Sequence, residues 1–266
     1  MRSYILKIFA GASVSIIIGL YALNVLRIEN VASLESMYII GYGGLFTFDF
    51  DHNFLGFLRV LVPQFILVYL LADCMYNDFK IYSVYVFTRE NKRKRWFVNK
   101  CFFLLFLTAV YYLSQFLIIL AMGVFNGLRP ISFEVFMTVA ISCFVLLTLT
   151  GFLLVISANL LALKIGINFG YLFVIILNTA MVMVPSVIYG SYDNIIIKLL
   201  PGSSAMFLWH SDGFIAMFSE RFGFDSIEGF SLAFSIIYIS VLIVITFFVG
   251  VKFIENLDIL NDKKEA

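Results

Sequence analysis

Phe102-Phe-Leu-Leu-Phe-Leu-Thr-Ala-Val-Tyr-Tyr-Leu-Ser-Gln-Phe-Leu-Ile-Ile-Leu-Ala-Met122 runs for twenty-one positions without a charged side chain. A helix of about 20 apolar residues is long enough to cross the hydrocarbon of a bilayer. No water is available there, so every backbone N–H and C=O must be bonded within the chain, and a run of this kind is a helix. Just before it stands Lys92-Arg-Lys-Arg-Trp96, and then Lys100. A basic cluster at one end of an apolar run holds that end on the cytoplasmic side, with Trp96 at headgroup level.

Working outward, five further runs of this type lie at about 8–26, 55–75, 135–158, 171–189 and 232–253, so with 102–122 the chain crosses a membrane six times. Short segments of alternating polarity, the mark of a membrane β-barrel, do not occur. Composition agrees: 62% of the 266 residues are apolar and only 13% are charged. A soluble domain carries roughly 25% charged residues. The expected fold is therefore all-α, one polytopic transmembrane domain over 1–266. The first run follows Arg2 and Lys7. It is too long for a signal-peptide core and no small-residue cleavage site follows, so it reads as a retained anchor.

With the N-terminus inside, the inner segments collect 13 of the 18 Lys and Arg residues. That asymmetry places both termini in the cytoplasm. The first outer connection is long and reads as a solvated loop. It contains Asp49, Asp51 and His52, the only acid–histidine cluster. With no second histidine and no paired-ligand spacing, no metal site is expected there. The outer connection before the sixth span, about 190–230, is too apolar for a solvated loop. Its pieces 195–200 and 214–218, broken by Pro201-Gly202, suit re-entrant or interfacial helices, with Trp209 at headgroup depth.

The inner connection between the second and third spans is the most charged part of the chain. Ahead of its basic cluster, Phe79, Tyr82, Tyr85 and Val86 recur at helical spacing and form an apolar-aromatic stripe on a short helix. Lys92, Arg93, Lys94, Arg95 and Trp96 read as an anchor to anionic headgroups. The stripe gains nothing from solvent and reads as a docking face for a cytoplasmic partner.

Tyr85-Val-Phe-Thr-Arg89, the run Arg93-Lys-Arg-Trp96 and Lys100 together resemble the corresponding loop of small bacterial type 2 ABC exporter permeases, including those linked to peptide and lantibiotic export or immunity. The order of spans, the inner helix and the semi-apolar outer segment are similar as well. The resemblance implies a transport subunit, not an enzyme, whose coupling helix (Phe79, Tyr82, Tyr85, Val86) docks on a separate ATPase subunit. It also implies pairing with a second permease subunit, identical or homologous, to complete the pathway. No GxxxxGK[ST] pattern occurs, so ATP and Mg belong to the partner and the chain itself binds no cofactor. Many such permeases begin with a longer amphipathic helix than the seven residues before the first span allow. The partners are then the ATPase, the second permease and membrane lipids, with no nucleic acid. Two other classes stay open: a non-catalytic assembly or sensor partner, and an intramembrane enzyme built on Asp49–His52.

Within the spans, Arg59 sits close enough to the outer end to snorkel, and Asp73 near the inner end can reach water or Lys80. Gln115 and Asn178 read as helix–helix contacts. Pro63 and Pro185 are candidate kinks. Cys74, Cys101 and Cys143 show no pairing pattern and read as small buried hydrophobes.

Overall fold

A computed structural model describes residues 2–29, 33–46, 54–79, 91–189, 195–224 and 226–256. Among them, six helices are long and apolar enough to cross a membrane: Leu6–Ile28, Phe54–Phe79, Arg93–Phe125, Phe133–Ile165, Ile167–Pro185 and Leu232–Glu255. These are spans 1 to 6. No strand occurs among the described residues beyond one isolated bridge between Ser33 and Arg129. The protein is all-α, as its apolar runs require.

Helix lengths differ from the apolar runs in an instructive way. The helix of span 3 is Asn91–Phe125, 35 residues, and that of span 4 is 33. At 1.5 Å per residue each is about 50 Å long, against about 30 Å of hydrocarbon. Lys, Arg, Leu and Ala all favour helix, so the backbone continues past the point where hydropathy ends. The end of the bundle that carries Arg93–Trp96 is called the basic end below, and the opposite one the far end.

Spans 2, 3 and 4 form the centre, with 50%, 50% and 56% of their apolar windows buried, against 22% and 17% for spans 5 and 6. Small residues let the helices meet, the usual device where lipid supplies no hydrophobic drive. A Cβ on Gly151 of span 4 would stand 2.8 Å from both Leu67 of span 2 and Tyr112 of span 3. Span 6 reaches span 3 where Gly250 faces the Phe97 ring. Cys74, Cys101 and Cys143 are buried and unpaired.

Two inserts fill the far end. The one between spans 1 and 2 carries helix Leu34–Tyr42, opened by Ser33, whose Oγ accepts from the Ser36 N–H at 3.4 Å. All nine residues of this helix are buried, which corrects the reading of a solvated loop. A helix covered on every side loses the one-sided apolar pattern by which sequence reveals helices. The insert between spans 5 and 6 folds as helices Ile195–Lys198, Pro201–Ser204 and Gly213–Phe222 with a 3₁₀ turn at Phe207–Trp209. Short helical pieces were expected here. Trp209 is fully buried within the protein, and its indole N–H donates to Leu45 O at 3.2 Å.

Candidate functional site

At the basic end, Phe79 closes the described part of span 2, while Tyr82, Tyr85 and Val86 lie outside the described residues. Lys92 belongs to the first turn of the 35-residue helix. Lys94 reaches Glu255 of span 6 at 3.2 Å, but both side chains are about half exposed, and such pairs contribute little. Lys100 pairs with Asp78 in a more sheltered position, which joins spans 2 and 3 at the base of the segment between them. Trp96 is half-buried and Phe97 fully buried, its ring 5.7 Å from that of Phe247. The basic cluster is thus seated on span 6 through its aromatic neighbours.

One turn deeper, span 2 is interrupted. The regular helix Phe54–Leu71 gives way to a turn at Ala72 and Asp73 before helix resumes. Leu71 O and Met75 N are the acceptor and donor that a continuous helix would join to each other. Here both bond to Asn159 of span 4: its Nδ2 donates to Leu71 O and its Oδ1 accepts from Met75 N, each at 2.8 Å. A side chain inserted into the i→i−4 ladder bends a helix without leaving backbone groups unpaired. Asp73, just beyond, accepts from Asn77 Nδ2 at 2.8 Å. Asn159 falls just past the apolar run 135–158. It is wholly buried inside the span 4 helix, and an isolated polar residue near the end of an apolar run gives no hint of the groups it will meet.

The far end holds a second constellation, centred on Arg59. The helix Leu34–Tyr42 ends at Gly43 and Gly44, and Gly44 has φ +107°, a conformation open to glycine. Three successive carbonyls, from Gly43 to Leu45, take donors from span 2 and from the 3₁₀ turn Phe207–Trp209. Leu208 N–H reaches Gly43 O at 2.8 Å, Arg59 Nη2 reaches Gly44 O, and the Trp209 indole reaches Leu45 O. These carbonyls lie just past the helix C-terminus, where the helix dipole favours a cation. The guanidinium also lies between the rings of Tyr21, 5.6 Å away, and Phe46, 5.1 Å away. Arg59 is 7% exposed. Its side chain is buried within the fold, where the insert supplies the Gly44 carbonyl as an acceptor.

Around it, Tyr42 donates to Gln115 Oε1 at 2.7 Å and Asn178 Nδ2 donates to Gln64 Oε1 at 2.7 Å. Both serve as helix contacts, as expected. A small cavity bounded by Gly44, Arg59, Gln64, Tyr112 and Met206 has room for about one water molecule. Arg59 Nε and Nη1 and the Tyr112 hydroxyl are buried without a hydrogen-bond partner. Glu35, also fully buried, accepts from Ile131 N–H at 2.8 Å. Hydropathy placed Glu35 in a solvated loop and gave no reason to single it out.

His210 is buried against Phe230, with ring centroids 4.4 Å apart. Asp49, Asp51 and His52 lie outside the described residues, and among the described residues no group of three His, Cys, Asp or Glu side chains could hold a metal. Compared with protein-family models, curated proteins and solved structures, the chain matches none.

Proposed function

We propose that this chain is the transmembrane subunit of an ABC exporter, forming a substrate pathway and coupling to a separate ATPase subunit. Two such subunits, identical or homologous, would pair to complete the pathway in a bacterial cell membrane. The cargo class that suits an aromatic-rich, semi-apolar far end is a peptide or another amphipathic compound.

The observation that carries this reading is the jointed span 2 beside the over-long helix of span 3. In sequence, residues 80–90, which include Tyr82, Tyr85 and Val86 of the aromatic stripe, connect these two helices. At its base the Asp78–Lys100 pair ties them together. The Asn159 joint lies about 8 Å further into span 2, counting from Phe79 to about residue 74 at 1.5 Å per residue. A push on the segment would therefore act on a rigid rod on one side and on a hinged one on the other. Nucleotide binding closes the ATPase pair, and the closed form would favour one arrangement of the joint over the other.

The test looks first for an ATP-binding-cassette gene beside that of this chain, and then co-expresses the two full chains. Phe79, Tyr82 and Tyr85 would be central anchors, each contributing about 2 kcal/mol or more to the interface. The double variant Tyr82→Ala/Tyr85→Ala should reach the membrane yet fail to co-purify the ATPase. Lys92→Glu/Lys94→Glu should disturb membrane insertion or lipid contact more than docking, since surrounding charges mainly steer association. ATPase binding and transport both intact in the tyrosine variant would refute the docking assignment.

A further inference from the structure

A cavity of about 400 Å³ opens at the basic end where spans 1, 2 and 5 meet. It is lined by Lys7 of span 1, Tyr69, Leu70 and Asp73 of span 2, and Asn168 and Tyr171 of span 5. Its size falls in the range of small-molecule sites. The wall carries one cation and one anion, which pair neither with each other nor with another charged group among the described residues. The exposed Lys7 ammonium lies over the Tyr4 ring, 5.5 Å from its centroid. The partly buried Asp73 carboxylate accepts from Asn77 on Oδ2, and a carboxylate has room for several donors. Ionisable groups inside a membrane protein ordinarily meet an opposite charge. Two opposite charges on one cavity wall fit a ligand that carries both.

The wall is also ordered by depth. Tyr69 lies four residues before Asp73, and Tyr171 three residues after Asn168. Both tyrosines therefore stand about one helical turn further into the bundle than the polar residues. Their rings meet edge-on with centroids 5.7 Å apart, and Tyr69 is 69% exposed, so this level faces the surrounding lipid. Charge at the ends of the spans, with aromatic and apolar surface one turn in, matches the order of headgroup, glycerol and acyl chain in a phospholipid. Span 5 begins beside the cavity at Ile167 without a side-chain cap, and the positive end of its dipole adds to Lys7.

We propose that this cavity binds one amine-bearing zwitterionic phospholipid from the leaflet at the basic end. Lys7 and Asn168 hold its phosphate, Asp73 holds its ammonium, and its glycerol and acyl chains pass Tyr69, Leu70 and Tyr171. A primary ammonium donates to the carboxylate in a charge-assisted bond. A trimethylammonium has no N–H to donate, and an anionic headgroup brings no cation to Asp73. The site stands apart from the export reading and is tested without an ATPase.

Native mass spectrometry of the detergent-purified full chain tests it. The probes are phosphatidylethanolamine, phosphatidylcholine, phosphatidylglycerol and the soluble headgroup glycerophosphoethanolamine. The wild type should retain phosphatidylethanolamine at least tenfold better than either other lipid, a difference of about 1.4 kcal/mol. Asp73→Asn keeps the shape of the wall and should hold phosphatidylethanolamine and phosphatidylcholine alike. Lys7→Gln, at an exposed position, should lower retention of phosphatidylethanolamine several-fold, and it serves as the test if the Asp73 variant does not fold. Equal retention of the three lipids by the wild type overturns the proposal. So does a preference unchanged by Asp73→Asn, or a retention unchanged by Lys7→Gln. Glycerophosphoethanolamine displacing the lipid at equal concentration would assign the cavity to a free headgroup and overturn it as well.

Discussion

His210 illustrates how one residue acquires a property from its neighbours. Its Nδ1 lies 3.1 Å from Phe207 O and its Nε2 lies 2.7 Å from Ser235 Oγ. A carbonyl only accepts, so Nδ1 carries the proton and Nε2 accepts the Ser235 hydroxyl. Burial pushes the imidazole down to about 4, against the smaller upward pull of backbone carbonyls and Asp212. The neutral ring is the folded form. Between about 6.5 and about 4 the unfolded chain binds a proton that the folded one does not, so stability falls as pH falls through that window. The contribution lost is on the order of 3 kcal/mol at full extent. Thermal midpoints of the detergent-solubilised protein should be level above pH 7 and decline from pH 6.5 to pH 4. His210→Gln should remove most of that decline, and an equally steep decline in the variant would contradict the assignment.

At the scale of elements, the interrupted span 2 and the buried helix Leu34–Tyr42 depend on partners distant in sequence. Asn159→Ala leaves the Met75 N–H and Leu71 C=O to find each other or stay unpaired. An orphaned buried pair costs roughly 1–3 kcal/mol. The expected outcome is a lower thermal midpoint together with faster hydrogen exchange at Met75 and its neighbours, while spans 3 and 6 keep their protection. Uniform acceleration across all spans would mean that Asn159 serves general packing and not a local joint. The insert helix follows the same logic in reverse. Tyr38 donates to Phe116 O at 3.0 Å and stacks on Phe116 at 4.9 Å, while Tyr42 stacks on the same ring at 5.2 Å. Its identity as a helix is fixed by spans 1, 3 and 4, which cover it.

For the whole molecule, the basic end and the far end predict a definite labelling pattern. Cysteine placed at Asn91 should react with a membrane-impermeant maleimide only after the cytoplasmic side is opened. Cysteine at Asn126, in the turn after span 3, should react in intact cells. External labelling at Asn91 would reverse the orientation and with it the side on which an ATPase could dock. The two ends differ in build as well as in charge: the basic end is charged and helical, and the far end is closed over by two apolar inserts.

Much of this architecture was legible in the amino-acid order. Hydropathy over about 20 residues reports the cost of exposing backbone and charge to lipid, so six spans, and the short helical pieces before span 6, followed from sequence alone. The Lys and Arg asymmetry likewise gave an orientation without reference to any contact. The tertiary structure decided matters that depend on who meets whom. It placed Arg59 against the Gly44 carbonyl, set Asn159 into the ladder of span 2, and buried Glu35, Trp209 and His210 in segments that lie outside the spans. A polar residue's role is fixed by its partners, and those partners lie 15 residues away for Arg59 and 84 and 88 for Asn159. Local pattern carries the free energy of transfer into lipid, while the matching of donors to acceptors is a property of the packed bundle.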